Sequence, residues 1–348
     1  MIDFKDDDKY SSWNGVSHLK IGFRQLCNSE NIFSNGRHRI LIDVHITPKD
    51  KNDMNISIPN KILSKNTWLI DYNTGEKLSF DVSENDDFTW GYTDEPNEFT
   101  AIIIPSSVSL MNSREQASNS IKKSNFINTL TYYVYCAPTE SNHIKQIGVL
   151  VQAPDGEHSI SYGGDFDDVS AFLQLTAISE IFYDMSHIKM DSKIITTHYG
   201  ELGWIQENTY VSISPNDQYG KRHIMKLEHD GGKIDSIHQL YSEDEYHTVY
   251  YAHFLWSLGK EKTISIGNAI WFNLPVNFPI DITVRQKVGF LCFTVILVND
   301  PTFPEVKDYW YPEFYITIYD QYGNKGRFLI SPNNKNDEEK EKIHLVDS

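Results

Sequence analysis

The chain has 348 residues, 40% of them apolar and 13% aromatic, enough to build cores for two ordinary domains. Its 31 Lys and Arg stand against 48 Asp and Glu, a formal charge of −17, so the mean field repels a nucleic-acid backbone or an anionic lipid surface. No basic patch is apparent along the sequence, and the longest apolar stretch, residues 290–298, falls well short of the ~20 residues of a membrane helix, so neither nucleic acid nor a transmembrane segment is expected.

Residues 1–15 are acidic and are expected to be flexible; they carry neither a basic n-region nor an apolar h-region, which predicts a chain cytoplasmic as synthesised, with any release by a non-Sec route. The first strong signal is at Ile40, Ile42, Val44 and Ile46, which alternate with Asp43 and His45 as a strand with one face in a core requires. Short strands are predicted to follow at 67–72, 99–104, 130–136, 144–153, 159–162 and 169–178. Turns separate them, Asn73-Thr74-Gly75 and Pro154-Asp155-Gly156 among them, where glycine supplies the positive φ that reverses a chain. The window 112–123 has helix-cap residues but no apolar period and is read as a polar loop.

A second, more aromatic set of strands is predicted at 210–214, 223–229, 246–255, 263–272, 280–285, 289–298, 314–319 and 327–330. The run 289–298 is apolar on both faces and is expected to be a central strand covered from both sides. The tetrapeptide Asp217-Gln218-Tyr219-Gly220 recurs as Asp320-Gln321-Tyr322-Gly323, and each copy reads as a hairpin turn. The fold class expected is all-β: two tandem antiparallel β-sandwiches, 16–178 and 179–333, followed by a short acidic disordered tail over 334–348.

No nucleophile elbow, HExxH, Walker loop or dinucleotide-binding glycine pattern occurs in the chain. Three acidic side chains, Asp165, Asp167 and Asp168, crowd one predicted loop and are candidate calcium ligands, because calcium takes six to eight hard oxygens; no other cofactor is expected. Glu84, Asp86, Asp87, Asp94 and Glu95 form a second acidic cluster around Trp90. The histidine pairs His223/His229 and His247/His253 share a six-residue spacing that puts each pair on one face of a strand, a pattern read as surface histidines before metal ligands. Cys27, Cys136 and Cys292 are far apart and without metal-site spacing, so all three are expected as thiols.

Aromatics are the remaining candidates. Trp256 and Trp271 fall within predicted strands, whereas Tyr309, Trp310 and Tyr311 lie between prolines in a predicted loop. Adjacent side chains of an extended segment alternate sides, so this triplet is expected to offer at least one ring to a glycan or protein partner.

Three stretches, Asn35-Gly36-Arg37-His38-Arg39-Ile40, Leu69-Ile70-Asp71-Tyr72-Asn73-Thr74-Gly75 and Asp320-Gln321-Tyr322-Gly323-Asn324-Lys325-Gly326, resemble motifs of bacterial Ig-like β-sandwich repeats found in adhesins and multi-sandwich proteins. That resemblance implies binding or spacer modules and assigns no catalytic residue. The expected function is therefore non-enzymatic binding or assembly: a lectin-like or toxin-like module, or a particle subunit, with oligomerisation open. The alternative is a carbohydrate-active hydrolase, which demands a pair of carboxylates facing one cleft.

Overall fold

The computed structural model describes residues 12–24, 29–83, 87–100, 126–140, 142–154, 158–161, 172–198, 203–214, 220–230, 242–243, 248–259, 262–266, 280–284, 286–299, 313–332 and 343–348. Strand dominates, and one short α-helix, Asn60–Lys65, occurs among the described residues. The chain divides into two compact units, Met1–Glu180 with Gln218–Gly220, and Ile181–Asp217 with Lys221–Ser348.

In the first unit, one sheet runs β1 (Trp13–Phe23), β3 (Ile40–Asp50), β7 (Asn128–Cys136), β6 (Trp90–Thr93), β5 (Ser79–Phe80). The other runs β2 (Ser29–Ser34), β10 (Leu173–Ser179), β8 (Ile144–Gln152), β4 (Thr67–Asp71), with β9 (His158–Ile160) also on β8. Ile40, Ile42, Val44 and Ile46 all point inward and meet Ile147, Val149, Leu173 and Leu175 of the facing sheet in one core. Fully burying each such side chain is worth about 1.5–3 kcal/mol, so this alternation is a large part of what selects the register of β3. The Asn73-Thr74-Gly75 turn forms as expected: Asp71 accepts from the amides of Asn73 (2.8 Å) and Thr74 (3.3 Å), and Gly75 sits at φ 76°.

In the second unit, one sheet runs β11 (Ile188–His198), β12 (Gly203–Ile213), β18 (Leu291–Asn299), β15 (Thr248–Trp256), β14 (Ser242–Glu243). The other runs β13 (Ile224–His229), β19 (Phe314–Asp320), β20 (Lys325–Pro332), β21 (Ile343–Asp347), and β16 (Lys262–Ile266) pairs with β17 (Ile280–Val284). Val211, Leu291 and Phe293 pack with Phe314, Ile316, Ile318 and Phe328 in a core that draws on both large sheets. Four consecutive residues of β18, Leu291, Cys292, Phe293 and Thr294, are buried, so this strand is central and covered on both faces, as its composition predicts.

Several expectations are corrected. The sheets are not purely antiparallel, because β2 pairs with β10 and β5 with β6 in parallel. The N-terminal stretch is strand from Trp13, which is fully buried and donates its indole N–H to the Gly15 carbonyl at 2.9 Å. β1 was hidden because its middle, from Val16 to Lys20, buries no side chain fully, which leaves a gap in the apolar face that Trp13, Gly15, Ile21 and Phe23 share. The C-terminal segment is not disordered throughout: Ile343 and Leu345 alternate with His344 and join the core as part of β21. Only two inward apolar side chains carry that strand, too weak a signal beside its charged neighbours. In the predicted strand 99–104, Thr100 makes only an isolated bridge with Arg39, and 101–104, like the window 112–123, lie outside the described residues.

Candidate functional site

β19 reads Phe-Tyr-Ile-Thr-Ile-Tyr-Asp, so Phe314, Ile316, Ile318 and Asp320 go inward while Tyr315, Thr317 and Tyr319 face out. On β20, which pairs with it, Lys325 and Arg327 lie opposite Tyr319 and Thr317 and share that outer face. The outer face thus becomes a ladder of rings and cations. The Arg327 guanidinium sits 4.1 Å from the centre of the Tyr315 ring, and the Lys226 ammonium 5.5 Å from that of Tyr319. Carboxylates fix the geometry: the Tyr319 hydroxyl donates to Glu228 at 2.7 Å, Lys226 pairs with Glu228 at 3.0 Å, and Arg327 lies 3.4 Å from Asp230.

Beside this ladder the chain enters the unit through Ile181, Phe182 and Tyr183. Phe182 bridges in parallel to Lys325, and the Tyr183 amide donates to the Lys325 carbonyl at 2.9 Å. Side-chain alternation then sends Tyr183 into the core and leaves Phe182 outside, 65% exposed. The approach is so close that a Cβ on Gly326 would lie 2.7 Å from the Tyr183 carbonyl oxygen, which is why this position is glycine. Phe182, Asp184, Tyr319, Lys325, Arg327 and Asp347 line a groove of about 370 Å³.

The groove floor is anchored by a buried polar cluster. Asp320 accepts from the Tyr183 hydroxyl (2.7 Å), the Asn324 side chain (3.1 Å) and the amides of Tyr322 (2.8 Å) and Asn324 (2.9 Å), with Arg222 Nε at 3.4 Å. Burial pushes the Asp320 carboxyl up, opposed by the Tyr183 and Asn324 hydrogen bonds and the Arg222 charge. Burial also pushes the Tyr183 hydroxyl far up, reinforced by the Asp320 carboxylate, so Tyr183 remains a donor at neutral pH. These groups organise the hairpin and lie away from solvent. The second tetrapeptide is therefore a hairpin turn, with Gly323 at φ 79°; of the first copy, only Gly220 is described.

At the groove rim, Asp184 caps a short 3-10 turn (Met185–His187), accepting from the Ser186 amide at 2.9 Å and the His187 ring at 2.8 Å. Its hydrogen bonds from Ser186 are the main reason its carboxyl is held below the usual range. Asp347 accepts the Met185 amide at 2.7 Å.

Tyr309, Trp310 and Tyr311 lie outside the described residues, as do Asp165, Asp167 and Asp168. Of the second acidic cluster, Asp87, Asp94 and Glu95 are described and exposed, whereas Trp90 is buried. Among the described residues no three His, Cys, Asp or Glu side chains are grouped to hold a metal ion. His223 and His229 are exposed and His253 is buried, while His247 and Trp271 lie outside the described residues. Trp256 is a core residue, stacked on Phe254 with ring centres 5.2 Å apart and donating to Thr294 at 2.7 Å. Cys136 and Cys292 are buried thiols, and Cys27 lies outside the described residues.

Sequence reasoning missed Phe182 and the tyrosine ladder. The available signal was Tyr315 and Tyr319 on the polar phase of an alternating strand, where Ser, Thr or Lys more often stands. Comparison with protein-family models and with curated proteins finds no match to the chain.

Proposed function

We propose that the chain is a non-enzymatic binding or assembly protein, built from two Ig-like β-sandwiches, whose second unit meets a glycan or protein partner through the Phe182 groove. The observation that carries this reading is Phe182 itself: a large apolar ring, 65% exposed, in a groove whose lining also includes Tyr319, Lys325, Arg327, Asp184 and Asp347. An exposed aromatic ring rimmed by charges of both signs is the composition of a binding hot spot. Tyr315 and Tyr319 add area at little entropic cost, because each has only two side-chain torsions and both are already held by a cation.

The hydrolase alternative gains no comparable support. Asp184 and Asp347, the aspartates among the described residues of this groove, are engaged with the backbone amides of Ser186 and Met185. The test is Phe182→Ser beside the parent protein on immobilised glycans and on intact cells, with thermal melting of both. Loss of binding with an unchanged melting temperature is the expected result; undiminished binding by the variant overturns the reading.

A further inference from the structure

The other large sheet of the second unit carries a different groove, of about 450 Å³, at the ends of β11, β12 and β18. Three lysines far apart in sequence line it: Lys189 from strand β11, Lys221 just before β13, and Lys287 from the segment that leads into β18. Among the described residues of its lining, Asp191 is the one carboxylate. Arg222 also reaches it, but its guanidinium is buried and committed to Asp320. None of the three lysines pairs with a carboxylate among the described residues. In a chain of net charge −17, carboxylate partners abound, so three lysines on one groove with no ion-pair partner among the described residues stand against the global charge balance.

Two of the lysines are also placed by aromatic rings. The Lys287 ammonium lies 3.7 Å from the centre of the buried Tyr210 ring and 5.6 Å from that of Phe290, and Lys221 lies 6.0 Å from the same Phe290 centre. Ring faces orient an ammonium without neutralising it, leaving its remaining N–H donors for a ligand. Ser212 and Ser214 add hydroxyl donors to the lining. Gly289 shapes the wall at φ 82°, where a Cβ would lie 2.6 Å from the His223 ring.

We propose that this groove is an anion site that takes a small molecule bearing a tetrahedral oxyanion, phosphate or sulfate, between Lys189, Lys221 and Lys287, with the body of the molecule against Phe290. Lysine binds such groups as a point charge, which suits a groove lined by three lysines better than it suits planar, bidentate carboxylate recognition. The volume exceeds what a bare ion fills and is in the range of small-molecule pockets, so a phosphorylated or sulfated sugar fits where a polymer does not.

The test is calorimetric titration of the full chain at low ionic strength with inorganic phosphate, glucose 6-phosphate and a sulfated disaccharide, using uncharged glucose as the control. Saturable binding of at least one anion and none of glucose is expected, weakening as salt is added; the strongest probe separates phosphate from sulfate sources. Lys221→Gln and Lys287→Gln are each expected to weaken binding about tenfold, the loss of one hydrogen bond to a charged group, while Lys287→Arg retains most of it. Asp191→Asn is expected to tighten it. Phe182→Ser, at the other groove, leaves it unchanged, so the two sites stand or fall separately. No saturable binding by any anion, or equal binding by the parent and both Gln variants, overturns the proposal.

Discussion

The Tyr183 hydroxyl donates to the Asp320 carboxylate at 2.7 Å across 137 residues of sequence, both groups buried. That bond ties the segment entering the second unit to the β19–β20 hairpin, and it holds Phe182 at the surface by fixing its neighbour in the core. Asp320→Ala leaves Arg222 as a buried cation and orphans two backbone amides, so it is expected to cost about 3–5 kcal/mol, the range for breaking a buried pair from one side. Tyr183→Phe removes one donor and is expected to cost about 1–3 kcal/mol. Urea denaturation followed by tryptophan fluorescence measures both; a loss under half a kcal/mol for Asp320→Ala contradicts the anchoring role.

Acid sensitivity in the first unit follows from two carboxyls held below the usual range. The Met54 and Asn52 amides lower Asp50. Partial burial raises Asp71, but the 2.7 Å hydrogen bond from Lys145 and the amides of Asn73 and Thr74 outweigh it. A carboxyl depressed in the folded state contributes stability that is present above its unfolded value, about 3.9, and is lost as pH falls through the lower folded value. Stability is therefore expected to decline below about pH 4, and Asp71→Asn to flatten that decline. Denaturant midpoints between pH 2.5 and 6 give the answer; an unchanged slope in the variant sinks the assignment.

Burial pushes the Cys292 thiol up to about 12, and Cys136 is likewise a buried thiol. The thiolate is the reactive form, so at pH 8 neither is expected to react with an aromatic disulfide reagent in the native protein, and both are expected to react in urea. Rapid native labelling at either position, located by peptide mass spectrometry, contradicts their place in the core.

Much of the β architecture is legible in the sequence where one face is apolar and the other polar, as at β3, or where both faces are apolar, as at β18. Where the apolar face is interrupted, the signal fails: β1 places Trp13, Gly15, Ile21 and Phe23 inward, but none of the residues between Gly15 and Ile21 is buried, so no continuous face marks the strand. β11 fails for another reason. It is an edge strand of mostly exposed residues, Met190 and Ile194 among them, so no buried face marks it. The candidate sites were less legible still. Lys189, Lys221 and Lys287 form no run, and only strand pairing brings them to one groove; Phe182 looks like any core aromatic until Gly326 and Lys325 fix which of its neighbours turns inward.

β21 provides the sharpest check on the second unit, because sequence composition and tertiary packing disagree there. Ile343 and Leu345 are buried against the core that includes Phe328 and Ile330, and the strand pairs antiparallel with β20 from Pro332↔Ile343 to Phe328↔Asp347. Were the segment a solvated tail, Leu345→Ala would change stability by less than about half a kcal/mol. As a core residue it is expected to cost about 2–5 kcal/mol, through lost transfer energy and the cavity left behind. Val346, exposed on the opposite face of the same strand, is the internal control, and Val346→Ala is expected to be nearly neutral. Chemical denaturation of the two variants decides between the alternatives: equal, negligible losses place the segment in solvent, and a loss confined to Leu345 places it in the sheet.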